Sequence, residues 1–256
     1  MIFTIAIKEL RALFASPLAW IMLTLTQLIV SYGFLQRIDN FVELQPQLAE
    51  IPNPPGVTAL VAVPVYETLE VIILFAVPLL TMRLIAEERR NQTMVMLMSA
   101  PLSMTDIVLG KFCGLMLFLL STVGVVTLMP FALLLGGHLD FGLLASLLLG
   151  IVLLAASFAA VGLYASTLTA QPIIAALIGY GLLLVMFLVG ETAAAGLRGR
   201  GWLVSAALAQ VLSPLKNFEP FDRGVFDSYS VVCSLLLIAA FLVLAIRRLD
   251  AARLGD

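Results

Sequence analysis

The chain of 256 residues is 62% hydrophobic and only 12% charged, with a formal net charge of −2 and a mean hydropathy of +1.11. Because soluble domains carry about 25% charged residues, this composition excludes an ordinary soluble protein and predicts a bundle of membrane-spanning helices. The small net charge indicates no nucleic-acid partner.

Residues 1–16 are predicted to form an amphipathic helix on the inner membrane surface. Apolar residues recur there at helical spacing, while Lys8, Glu9 and Arg11 lie mostly on the other side. Pro17 is expected to separate this helix from the first span. A signal peptide is disfavoured, because the following apolar run is long and no A-x-A site follows it.

Six apolar runs are long enough to cross a bilayer, for which roughly 20 residues are needed. They are continuous rather than alternating, which favours helices over a barrel. The predicted spans are residues 18–35, 68–85, 112–135, 141–168, 173–190 and 229–246. Residues 1–256 are thus expected to form one all-α transmembrane domain.

Lysine and arginine set the expected orientation. With the N-terminus inside, nine of the fourteen fall in inner segments, as the positive-inside rule requires. Both termini are therefore expected in the cytoplasm. Five prolines lie between Arg37 and Glu67, so no regular long helix is expected between spans one and two.

The segment Met82–Lys111 is charged and then amphipathic, and it joins spans two and three. A helix is expected to run from the end of span two to Ala100, where Pro101 disfavours continuation. Ser103-x-x-Asp106 resembles a capping box and predicts a new helix leading into span three. Residues 87–100 are either a docking element for a soluble partner or a loop that dips into the lipid interface.

Charged residues near span ends are the other candidates for function. Glu67, Glu70 and Glu191 either line the outer end of a pathway or reach the headgroup region and are solvated. With His138 as the single histidine, no histidine-based metal site is expected. Gly110 and Gly114, spaced G-x-x-x-G, indicate close helix packing.

Enzyme motifs are missing from the sequence. It has no H-E-x-x-H and no G-x-S-x-G, and Gly110-Lys111 lacks the first glycine and the hydroxyl residue of a phosphate-binding loop. We therefore expect no enzyme activity and no metal site. A secondary transporter or channel stays open, although spans three to six nearly lack the polar residues that bind coupling ions.

The segment Met82–Lys111 resembles the cytoplasmic segment of type-2 ABC-transporter permeases, most closely the gliding-motility-associated branch. It departs from the family pattern at Gln92, usually glycine, and at Val95, usually glutamate. Residues 212–227, around Phe218-x-x-Phe221-x-Arg223-Gly224, resemble the family's approach to its sixth helix. The matching residues of the first segment are Met82, Arg83, Ala86, Glu87, Glu88, Thr93, Leu97, Pro101, Ile107, Val108, Leu109, Gly110 and Lys111.

The resemblance implies a six-span permease subunit in a bacterial inner membrane, with a cytoplasmic coupling helix between spans two and three. Its expected partners are an ABC ATPase that carries ATP and magnesium, a second permease copy of the same or another kind, membrane lipid and an extracytoplasmic accessory protein. No cofactor is expected on this chain. Residues 191–228 are expected outside the membrane or as a re-entrant hairpin. A membrane anchor for the ATPase that does not itself transport is the remaining alternative. The implied ATPase-coupling residues are Glu87, Glu88, Arg89, Arg90, Thr93, Met94, Leu97, Met98 and Ser99.

Overall fold

The computed structural model describes residues 1–48, 50, 55–92, 103–135, 139–194 and 211–254, and no β-strand occurs among them. A π-helical turn at Thr58–Ala62 leads into the third helix, and a 3-10 turn at Leu133–Leu135 follows the fifth. The helices are α1 (Ile2–Ala15), α2 (Pro17–Leu48), α3 (Val63–Thr81), α4 (Ala86–Arg90), α5 (Met104–Ala132), α6 (Phe141–Leu168), α7 (Pro172–Ala194), α8 (Pro214–Asp222) and α9 (Ser228–Leu254).

Within the described part of the chain, six stretches are long and apolar enough to cross a membrane, which confirms the predicted all-α bundle of six spans. The helices extend beyond several of the predicted apolar runs, because caps and breaks rather than hydropathy set their ends. The stretches are Pro17–Gln47, Thr58–Arg90, Met104–Ala132, Phe141–Leu168, Pro172–Glu191 and Ser228–Ala252.

Helix α6 lies at the centre of the bundle and is the most buried of the six spans. Small residues along it let its neighbours approach closely. Gly162 packs against the side chain of Thr81 on α3, and Gly150 packs against Phe218 and Phe221 on α8. A side chain at either glycine would displace the neighbouring helix.

The two ends of the bundle carry different elements. Helices α1 and α4 lie at one end, here named the α1 end, and α8 lies at the other, the α8 end. Near the α8 end, Tyr66 Oη and Thr127 Oγ1 are 2.9 Å apart in a buried hydrogen bond between α3 and α5. At the α8 end, the Asp140 amide donates to Thr58 Oγ1 at 2.9 Å.

Two helix boundaries follow the sequence predictions. Helix α1 ends at Ala15 and α2 begins at Pro17, so the predicted break is confirmed. Helix α5 begins after Ser103, whose Oγ accepts from the Asp106 amide at 3.1 Å while Asp106 Oδ2 accepts from the Ser103 amide at 3.4 Å. The capping box is therefore confirmed, with aspartate in the place of glutamate.

One expectation about helix extent is wrong. No regular helix was expected after Arg37, but α2 continues to Leu48 and includes Pro46. Proline disturbs the turn that precedes it, and α2 extends only two residues beyond Pro46. The proline therefore lies at the end of the helix and does not prevent it from forming.

Candidate functional site

A buried ion cluster joins three elements at the α1 end. Lys111, on α5, has a side chain that is only 2% exposed. Its Nζ donates to Glu9 Oε1 on α1 at 2.9 Å and to Glu88 Oε1 on α4 at 2.7 Å. Lys8, which is 64% exposed, lies 3.9 and 4.0 Å from the same two oxygens. We name these four residues the Lys111 cluster.

The burial of Glu9 corrects the sequence prediction, which placed it on the exposed polar side of α1. Helix α1 packs so tightly on α5 that a Cβ built at Gly110 would lie 2.7 Å from Ile5 Cβ, and one at Gly114 would lie 2.8 Å from the Ala6 carbonyl oxygen. The G-x-x-x-G prediction of close packing is therefore confirmed. Because this contact buries Glu9, Lys111 must supply its counter-charge.

A four-residue break separates α4 from α3. The chain turns at Met82–Ile85, and one side chain on α6 satisfies the backbone groups that this turn frees. Ser166 Oγ accepts from the amides of Ile85 and Ala86 at 3.2 and 3.0 Å and donates to the Met82 carbonyl at 3.2 Å. The break is thus a turn held against the central helix by hydrogen bonds to one side chain.

Helix α4 is shorter than predicted. A helix was expected to reach Ala100, but α4 ends at Arg90 and is followed by a turn at Asn91–Gln92. Gln92 has φ of 57°, a left-handed conformation that favours glycine and commonly terminates helices. The family pattern usually has glycine at this position, so the pattern marks a helix end that the spacing of apolar residues had concealed.

The predicted coupling residues are only partly within the described structure. Glu87, Glu88, Arg89 and Arg90 form α4, and of these Glu88 belongs to the Lys111 cluster. Thr93, Met94, Leu97, Met98 and Ser99 lie outside the described residues, as does His138.

A cavity of about 530 Å³ opens beside the cluster, between α1, the start of α2 and the turn into α4. Arg83 Nη1 lies 3.4 Å from Ser16 Oγ across it. Its wall combines cluster residues with apolar side chains such as Leu13 and Leu80. The cavity separates α4 from the start of the first span.

The α8 end carries a second lysine held by two carboxylates. Lys216 Nζ, on α8, is 3.0 Å from Glu191 Oε1 and 2.7 Å from Glu219 Oε1. These hydrogen bonds, first that to Glu219, raise the pKa of Lys216. Glu191 was predicted as a pathway residue on its own, and its pairing with Lys216 across α7 and α8 was not predicted.

The other two predicted pathway residues, Glu67 and Glu70 on α3, lie within electrostatic range of Asp222 and Glu219 on α8. The pKa of Asp222 is raised from 3.8 to about 7, first by burial and then by the charges of Glu67 and Glu219, while Arg223 opposes the shift. Asp222 Oδ1 is buried and has no hydrogen-bond partner among the residues described. The α8 end therefore concentrates negative charge in an acidic group of four residues: Glu67, Glu70, Glu219 and Asp222.

Asp222→Asn is expected to make stability less dependent on pH. Because folding raises the pKa of Asp222, the folded state binds more protons than the unfolded state between pH 3.8 and about 7, so stability falls as pH rises through that window. After allowance for solvent screening, the variant should gain about 1 kcal/mol relative to the native chain above this window. Thermal unfolding in detergent at about pH 5 and about pH 8 measures the difference.

Asp227→Asn is the matched control, because the pKa of Asp227 is shifted in the opposite direction from that of Asp222. Hydrogen bonds from Ser230, first that of its hydroxyl, lower the pKa of Asp227, so its stabilising effect exists above its unfolded pKa and is lost as pH falls. This variant should be less stable than the native chain near neutral pH. Equal pH profiles for all three proteins would contradict the assigned environment of Asp222.

A groove of about 590 Å³ lies between α2 and α3. Arg37 and Glu67 lie among its lining residues, and the rest of the lining is mainly apolar, including Leu25, Val71 and Phe75. These three side chains are 49–57% exposed. The first two spans thus present an open, mostly apolar face outside the bundle core.

A family model described as ABC-2 family transporter protein matches residues 3–254, nearly the whole chain. No curated protein shows a significant match to this chain. The family match covers both ends of the bundle, including the Lys111 cluster and the acidic group at α8.

Proposed function

Because this chain belongs to the ABC-2 family of transporter proteins, we propose that it is a permease subunit driven by ATP that a separate nucleotide-binding subunit hydrolyses. The family match and six apolar helices make it the membrane subunit of an ABC transporter. Such a subunit is not itself the ATPase, so ATP and magnesium belong to the partner.

The partner is proposed to bind at the α1 end, which faces the cytoplasm together with both termini in a bacterial inner membrane. The distribution of lysine and arginine supports this orientation. The observation that best supports coupling is the geometry of α4, which leaves span two through a separate turn and is tied to two other elements. Segment 93–99, which follows the turn at Asn91–Gln92, is the proposed docking element.

A second permease copy is proposed to cover the open face formed by α2 and α3, either as an identical chain or as a related one. The apolar groove beside Val71 and Phe75 supports this placement, and spans one, two and five are proposed to border the pathway. Glu67, Glu70 and Glu191 then lie at its extracytoplasmic end, where an accessory protein would bind. The resemblance of Met82–Lys111 to the cytoplasmic segment of these permeases supports the assignment of this chain to the gliding-motility-associated branch.

Purification of the tagged chain in mild detergent tests the proposal, with identification of co-purifying proteins and an ATPase assay. A stoichiometric nucleotide-binding subunit is the expected result. If the chain purifies alone and without ATPase activity, even at low salt, the subunit proposal fails and flux driven by an ion gradient becomes the next measurement.

Leu97→Asp combined with Met98→Asp is expected to detach this partner while the permease stays inserted. Two carboxylates on an apolar docking surface would have to be desolvated, at a cost of several kcal/mol. Co-purification and ATPase activity measure the loss. The matched control replaces Val225 and Phe226, two exposed residues at the α8 end, with aspartate. Undiminished ATPase binding in the first double variant would rule out docking at segment 93–99.

A further inference from the structure

We propose that Lys111 is a positioning residue that holds α1 and α4 against α5, so that a displacement of α4 is carried into the first helix and the third span. The turn at Met82–Ile85 is the pivot of that movement. The source of the displacement rests on the proposed function, but the joint itself can be tested without it.

One lysine makes both connections. Its Nζ lies 2.9 Å from Glu9 and 2.7 Å from Glu88, and the side chains of these carboxylates are only 10% and 18% exposed. Buried, charge-assisted hydrogen bonds are strongly directional and are little screened by salt. Moving either carboxylate away from Lys111 would leave a poorly solvated charge, so the three groups are expected to move together.

Close packing makes the connection between α1 and α5 rigid. Gly110 and Gly114 flank Lys111 on α5, and at both positions a Cβ would lie 2.7 Å from a Cβ on α1. Helix α1 therefore touches the backbone of α5 on either side of the ion pair. Such a contact leaves no room for α1 to slide without separating from α5.

The connection between α4 and α3 is of a different kind. The helical hydrogen-bond ladder stops at Met82–Ile85, and Ser166 on α6 takes up the freed backbone groups. A turn with its own hydrogen bonds can change its dihedral angles without disrupting α3, as hinges at element ends do. Movement of α4 would thus bend the chain at the turn and pull on Lys111 through Glu88.

Spin labels at Arg11 and Asn91, both exposed, report the distance between α1 and α4. The native residues Cys113 and Cys233 are first replaced by alanine, and the chain is reconstituted in lipid nanodiscs. Double electron–electron resonance should give one narrow distribution of the distance between the labels at Arg11 and Asn91. When the co-purified ATPase is present, that distance should stay the same with and without nucleotide, while the distance from Asn91 to a label at Ile173 on α7 changes.

Glu88→Ala should broaden the distribution of distances between α1 and α4 and make that distance respond to nucleotide, because it breaks the connection between Lys111 and α4. Glu9→Ala should have the same effect, because it breaks the connection between Lys111 and α1. Asp250→Ala is the matched control, because this exposed carboxylate on α9 lies outside the predicted coupling residues and has no ion pair within the described structure. A narrow distribution retained in Glu88→Ala would overturn the proposal, and so would a nucleotide-dependent distance in the native chain. If no ATPase co-purifies, the proposed function fails, whereas the distributions without nucleotide still decide the role of Lys111.

Discussion

Replacing Lys111 with methionine is expected to lower the free energy of unfolding by up to about 3–5 kcal/mol, because it leaves two largely buried carboxylates with only the exposed Lys8, 3.9 and 4.0 Å away, as counter-charge. Methionine has nearly the same length and fills the space that the lysine stem occupies. The loss would therefore come from charge rather than from a cavity. Thermal unfolding in detergent, followed by tryptophan fluorescence, measures it.

Lys216→Met is the matched control, because Lys216 also holds two carboxylates at 3.0 and 2.7 Å. Its side chain is 24% exposed and its partners are about half exposed, so water solvates the charges that remain. This variant should lose no more than about 1 kcal/mol. In the Lys111→Met background, adding Glu9→Gln and Glu88→Gln should recover most of the stability. Equal losses at the two lysines would show that burial does not govern the Lys111 cluster.

Gly114→Ala is expected to destabilise the protein by about 1–3 kcal/mol through overpacking. The added methyl would lie 2.7 Å from Glu9 Cβ and 2.8 Å from the Ala6 carbonyl oxygen, and neither atom can move without moving α1. Displacement of α1 would also lengthen the ion pair between Glu9 and Lys111. Unfolding temperature and protease cleavage after Arg11 measure the two effects together.

Gly124→Ala, on the same helix, should behave in the opposite way. Apart from the adjoining backbone of α5 itself, no atom of the described residues lies within 4 Å of the position that its Cβ would take, so the change adds only helix propensity, worth up to about 1 kcal/mol. If both variants shift the unfolding temperature in the same direction, the close approach of α1 to α5 is not the cause.

The sequence predicts the spans well because crossing a bilayer requires long apolar runs, and few other structures produce them. Local signals also suffice for the break at Pro17 and the cap at Ser103, since each depends on residues within one turn. The extent of α2 beyond Arg37 was missed, because the prolines were treated as excluding a helix that only one of them ends.

The pairing within the Lys111 cluster could not be predicted from the sequence. Glu9 and Lys111 are 102 residues apart, and amphipathic spacing places Glu9 among the solvated charges of α1. Two signals were present but ambiguous: a lysine inside an otherwise apolar helix start, and glycines on either side of it. Such a lysine requires a carboxylate partner, but the sequence does not indicate which element supplies it.

The end of α4 shows a different limit. Apolar spacing continues through Met94 and Leu97, so the pattern predicted one helix, yet Gln92 adopts a left-handed backbone. The glycine that the family usually has at this position would have indicated the helix end. The helix end was concealed both by the continued apolar spacing and by the glutamine at this position.

The long sequence separation within the ion cluster also constrains the order of biogenesis. At about 5–20 residues per second, ribosomes would finish Lys111 roughly 5–20 s after Glu9. During that interval the first two spans are made, while the nascent N-terminal helix carries a carboxylate whose lasting partner does not yet exist. That helix must therefore stay beside water or lipid headgroups until the third span is inserted, and it reaches its final position late although it is synthesised first.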